Sequence, residues 1–183
     1  MNEQNVFLIS DLHLFHKNII EFEERPFNNV HDMHETIIKN WNNRVTNNDK
    51  VFILGDLTFG KKEPSKAIVE RLNGKLYLIK GNHDNKSNQW YRDIGIDEVS
   101  EFPILIHNYY MLSHEPMLYL KDPTINCFGH VHNSPNFPTF TTHSVCVCAE
   151  RWNYTPISLF SITHNVLKLR KLIEETQLKF NWV

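Results

Sequence analysis

Val6-Phe7-Leu8-Ile9-Ser10-Asp11-Leu12-His13 is a short, continuous apolar run that ends abruptly on an acid and an imidazole. Four more runs repeat the pattern. Val51–Leu54 passes through Gly55 into Asp56, and Leu76–Lys80 passes through Gly81 into Asn82, His83 and Asp84. Tyr109–Ser113 ends at His114, and Ile125–Phe128 passes through Gly129 into His130, with His132 two residues on. Runs of this length, rich in Val, Ile, Phe and Tyr, read as buried strands. In open α/β sheets, ligands are held at the carboxyl ends of strands. Five strands that all deliver Asp, Asn or His to that end predict one polynuclear metal site.

Each group is weak evidence alone. An isolated Asp-x-His is common on surfaces, and a lone Gly-Asp or Gly-His is more often a turn. Their co-occurrence in order, each at a strand end, is what matters, because Asp and His are costly beside a buried strand unless paired or metal-bound. Residues i and i+2 of an extended segment point to the same side. Asp11 and His13 can therefore chelate one ion, and His130 and His132 can share an ion or divide between two. Gly55, Gly81 and Gly129 allow the backbone to approach closely.

The remaining chain frames these runs. Lys17–Glu24 reads as a short helix stopped by Pro26. Met33, Ile37, Ile38 and Trp41 recur at helical spacing, and a third helix opens at Pro64, carries Ala67, Ile68 and Leu72, and ends at Asn73-Gly74. Strand, helix, strand, helix, strand is the order of parallel strands with crossover helices. Strands near 104–106, 109–113, 125–128 and 144–148 then follow with short turns, which predicts more antiparallel pairing. Thr163–Leu178 reads as an amphipathic helix. The expected architecture is α/β, with two sheets and helices outside, in a single domain spanning 1–183.

Composition narrows the partners. The chain has 183 residues, 41% apolar and 22% charged, with a formal net charge of -2. That balance argues against a broad basic surface that grips nucleic acid non-specifically. No signal peptide or membrane span is visible in the sequence, so a cytoplasmic location is expected, without a membrane partner. Cys127, Cys146 and Cys148 are expected to pack in the core.

The series Asp11-x-His13, Gly55-Asp56, Gly81-Asn82-His83-Asp84, His114 and Gly129-His130-Val131-His132 closely resembles the calcineurin-like metallophosphoesterases. All five blocks are present, in order, over about two thirds of the chain. Ser10–Ile20 followed by Arg25-Pro26-Phe27 further resembles a small bacterial and phage branch, with Phe15 where a glycine is expected before His16. The resemblance implies a two-sheet α/β/β/α sandwich. It also implies roles: Asp11, His13 and His132 on one metal, Asn82, His114 and His130 on the other, and Asp56 bridging both. In that scheme a hydroxide shared by the two ions attacks phosphorus, His83 protonates the leaving oxygen, and Asp84 fixes the tautomer of His83.

A donor set of nitrogen and oxygen without thiolate suits two ions of Mn, Fe, Zn, Ni or Co. Arg25 is a candidate for bidentate phosphate binding, with His16 and Asn18 beside the same motif. The expected substrate is a phosphoester, with a nucleotide or other small diester favoured over a monoester. Two alternatives stand beside this: a nuclease acting on single-stranded ends, and a non-catalytic interaction module on the same fold. His83 beside Asn82 favours catalysis.

Overall fold

The structure is a computed structural model that describes residues 5–180, with side chains through residue 176. Met1–Gln4, expected to lead into the first strand, lie outside the described residues. β1 (Val6–Ile9), β2 (Lys50–Leu54), β3 (Lys75–Ile79) and β4 (Glu98–Ser100) pair in parallel, and β9 (Ile157–Ser158) adds antiparallel to β1. The sheet order is β4-β3-β2-β1-β9. A second sheet, β5-β6-β7-β8, comprises Ile104–Ile106, Tyr110–Ser113, Ile125–Phe128 and Ser144–Cys146.

Side chains alternate across a strand, so an all-apolar strand feeds two cores. Phe7, Ile9, Val51, Ile53, Leu76 and Leu78 share one core with Met33, Ile37, Ile38 and Trp41 of α2 (Val30–Asn42) and Tyr91 of α4 (Asn88–Asp93). Val6, Leu8, Phe52, Leu54 and Ile79 share the other with Tyr110, Leu112, Ile125, Cys127 and Val145 of the second sheet. The two sheets thus face each other, with helices on the far side of the first, which is the expected two-sheet sandwich. The side chain of Asn29 caps α2 by accepting the Asp32 N–H at 3.0 Å.

Several boundaries move. α1 is only Ile19–Phe22, and α3 runs Lys62–Val69, with Pro64 tolerated inside its first turn. The last helix, α5, is Leu159–Phe180 and starts earlier than expected. The spacing of Leu159, Ile162 and Val166 places them on one helix face in the inter-sheet core. Among the described residues, no helix is long and apolar enough to cross a membrane.

The expectation of antiparallel pairing in the second half is corrected. Within the second sheet β5 and β6 pair that way, whereas β6, β7 and β8 are parallel. The physical reason is connection length. A parallel return needs a dozen or so residues, and segments 114–124 and 129–143 supply the length without a helix. Parallel pairing brings the carboxyl ends of β6 and β7 to the same edge.

Candidate metal centre

All the expected ligands sit just past the carboxyl ends of β1, β2, β3, β6 and β7. Main-chain bonds lock these ends together: Asp11 N–H to Gly55 O at 3.0 Å, His13 N–H to Asp56 O at 2.9 Å, and Gly129 N–H to His114 O at 2.9 Å. His130 N–H donates to Asp11 Oδ2 at 2.9 Å, which ties the two sheets across the site.

The backbone here is strained. Asp11, His13, Asp56, His130 and His132 all hold left-handed dihedrals, with φ of 56°, 50°, 55°, 71° and 45°. Such residues cost on the order of 1–3 kcal/mol each and persist where the surroundings impose them. Gly55 shows why small residues precede the ligands: at φ +90°, a Cβ there would fall 2.2 Å from His114 Nδ1. A Cβ on Gly81 would fall 2.3 Å from Asp56 Oδ1.

The donor atoms form two groups joined at Asp56. In the first, Asp11 Oδ1 lies 3.9 Å from His13 Nε2 and 3.7 Å from His132 Nε2. In the second, Asn82 Oδ1 lies 2.8 Å from His114 Nε2 and 3.1 Å from His130 Nδ1, and the two imidazole nitrogens are 3.2 Å apart. Asp56 Oδ2 stands 3.4 Å from His13 Nε2 and 3.7 Å from His114 Nε2.

These atoms fit cations better than they fit one another. Asp11 Oδ1 and His13 Nε2 are buried without a hydrogen-bond partner. His114 Nδ1 donates to Leu54 O at 2.8 Å, so its Nε2 presents a lone pair toward the Asn82 carbonyl oxygen, another acceptor. Two acceptors at 2.8 Å call for a positive charge between them.

The residues around the donors depart from two expectations. Asp84 does not bond to the His83 ring. Its buried carboxylate accepts the N–H groups of Asp56 at 2.7 Å, Gly81 at 2.9 Å and Leu57 at 3.2 Å, and the Tyr91 hydroxyl at 3.2 Å. Buried main-chain donors must be satisfied, and Asp84 is the acceptor that holds the Asp56 turn. Burial pushes its carboxyl above the usual range, against the pull of the Gly81 N–H. Arg25 is likewise not a phosphate grip. Its side chain has no exposure, and it donates to Asp11 O at 2.7 Å, Leu12 O at 3.0 Å and Glu150 Oε1 at 3.0 Å. Its five donors are absorbed by two carbonyls, the Glu150 carboxylate and the Met33 sulfur beneath the first ligand loop.

Glu150 is the residue the sequence reading passed over. Its Oε1 accepts His132 Nδ1–H at 2.9 Å, which turns His132 Nε2 toward Asp11. Burial opposes charge on His132, but the Glu150 bond and the Asp11 carboxylate outweigh it and lift its pKa to about 9. The signal was present: Ser144–Cys148 is a sixth apolar run, and it leads through Ala149 into this acid. Glu150→Gln is expected to weaken metal binding about 10- to 100-fold, the usual cost of removing a ligand's orienting partner. Metal titration followed by calorimetry checks this; unchanged affinity refutes the role.

His83 is exposed, with its N–H on Asp56 Oδ1 at 3.0 Å and its ring centroid 5.6 Å from that of His13. His16 Nδ1 is 3.3 Å from His13 Nδ1, and burial and the neighbouring His13 hold it below the ordinary histidine range. Asn18 is exposed and lines a separate surface cleft with Ile20 and His31. Phe15, standing where a glycine is expected, adopts φ 65°, and its N–H is held by His34 Nε2 at 2.9 Å. Trp152 and Tyr154 pack against Phe140 and Phe27, and the three cysteines are buried and free.

The chain matches the calcineurin-like phosphoesterase superfamily domain over residues 5–147 and belongs to that superfamily. It is a metal-dependent phosphoesterase by family. An uncharacterized protein of Methanocaldococcus jannaschii is 36% identical over 169 residues, covering 87% of this chain and 89% of the relative. The gene 66 protein of Mycobacterium phage L5 is 34% identical over 86 residues, 44% of this chain and 40% of that protein. A protein of unknown function from Aquifex aeolicus has the same fold, with a TM-score of 0.69 at 24% identity over 87% of this chain and 97% of that one.

Proposed function

We propose that this phosphoesterase is a dinuclear enzyme that cleaves phosphodiesters, with a nucleotide or another small diester as substrate. Asp11, His13 and His132 would hold one divalent transition-metal ion, Asn82, His114 and His130 the other, and Asp56 both. The observation that carries this reading is the place of Asp56 Oδ2, 3.4 Å from a nitrogen of one group and 3.7 Å from a nitrogen of the other. Ions of Mn, Fe, Zn, Ni or Co in such a pair supply Lewis acidity to a phosphoryl oxygen and make water a nucleophile near neutral pH.

The protein's own groups do the rest. Asp84 holds the Asp56 turn, and Glu150 aims His132. Asp56 Oδ1 fixes the backbone of His83, whose exposed ring stands free to give a proton to the leaving oxygen. A cleft of about 340 Å³, lined by Gly81, Asn82, His114 and Pro116, borders the second donor group and has room for a small ester.

Purified protein stripped of metal should not hydrolyse bis(p-nitrophenyl) phosphate, and two equivalents of Mn per chain should restore turnover. Activity that survives chelation, or turnover of p-nitrophenyl phosphate alone, would overturn the reading.

A further inference from the structure

Phe59 sits at the mouth of the donor cluster, and it is 44% exposed. It belongs to none of the hydrophobic clusters formed by the described residues. Its ring lies nearly parallel to His16 at 4.3 Å and 18°, and to His13 at 5.3 Å and 19°. It is 5.2 Å from the ring of His83. Phe22, 66% exposed, meets His16 edge-on at 6.2 Å. Two large aromatics thus stay in water within one or two ring contacts of a polar, ligand-rich centre.

The support under Phe59 is rigid. Its N–H donates to Leu14 O at 2.8 Å. The Thr58 hydroxyl is bonded to Ser65 Oγ at 3.0 Å and accepts the Gly60 N–H at 3.1 Å. A Cβ on Gly60 would fall 2.5 Å from the Phe15 ring, so the turn is packed tight from below. A ring held this firmly gives up little freedom when something flat is laid on it.

We propose that Phe59, backed by His16 and edged by Phe22, is the stacking platform for a nucleobase of the substrate. The inference rests on the phosphodiesterase reading, and it narrows the substrate to nucleotide-containing esters. With the phosphate at the donor cluster, a base on the adjoining nucleoside lies over Phe59. Phe59 and Phe22 offer no hydrogen bonds to base edges, so recognition is by π-face and tolerant of base identity. A net charge of -2 agrees with this, since affinity then comes from stacking rather than from a basic groove.

Calorimetry on the Mn-loaded protein tests the platform with a matched pair: thymidine 5′-monophosphate and 2-deoxyribose 5-phosphate, which lacks the base. The wild-type protein should bind the nucleotide about 5- to 100-fold more tightly, the range a stacked base contributes. Phe59→Leu should reduce that ratio toward one with metal content unchanged, and Phe59→Trp should restore it. Equal binding of the two ligands by the wild-type protein overturns the inference and needs no variant to fold. So does a Phe59→Leu protein that weakens both ligands equally, since Phe59 would then only shield His13. Turnover of bis(p-nitrophenyl) phosphate separates the two ideas. Turnover without base discrimination sinks the platform alone, and base discrimination without turnover sinks the diesterase reading alone.

Discussion

An Asp56→Ala protein is expected to lose both metal ions and its hydrolytic activity together while keeping its fold. The carboxylate removed stands between the two halves of the donor cluster, with His13 Nε2 at 3.4 Å and His114 Nε2 at 3.7 Å from Oδ2. The turn itself is held from elsewhere, by the bond from Asp56 N–H to Asp84 Oδ2 at 2.7 Å. Metal ions stabilise the charge of a phosphoryl-transfer transition state by several kcal/mol, so the loss should be at least about 10³-fold. Elemental analysis, thermal melting and hydrolysis rates on one preparation check this. Asp56→Asn keeps an acceptor for the His83 N–H and serves as a second probe if alanine unfolds the turn. Two ions per chain in either variant would refute the bridging role.

His83→Ala should do the opposite: keep the metals and lose rate. His83 contacts the centre through its N–H on Asp56 Oδ1, a main-chain bond that survives the substitution. A general acid contributes roughly 10²–10⁴-fold, and its value depends on the leaving group. An alkoxide needs the proton, whereas p-nitrophenolate leaves readily without it. The variant should therefore fall by that factor on a 2′,3′-cyclic nucleotide and far less on a p-nitrophenyl ester. Equal losses on both, with metal intact, would rule out the acid role and point to positioning.

The strand-end signal made much of this architecture legible in the sequence. An acid or imidazole is costly beside a buried strand, so β1, β2, β3, β6 and β7 announced both their identity and the edge on which they converge. Residues whose partners are main-chain atoms far away in sequence were not legible. Nothing local to Arg25 says that it ends on Asp11 O and Leu12 O with a carboxylate from position 150. Nothing local to Asp84 says that its oxygens face the Asp56 and Leu57 amides rather than the neighbouring imidazole. Strand direction was misjudged for a related reason: a parallel return without a helix leaves no periodic trace. Left-handed dihedrals at Asp11, His13, Asp56, His130 and His132 were invisible too, since none of these residues carries the glycine that marks such positions.

Anomalous diffraction from Mn-loaded crystals tests the central claim most directly. Two peaks about 3.5–4 Å apart are expected, one within reach of Asp11, His13 and His132, the other of Asn82, His114 and His130, with Asp56 touching both. A single peak, or two peaks with Asp56 bound to only one, would contradict the account.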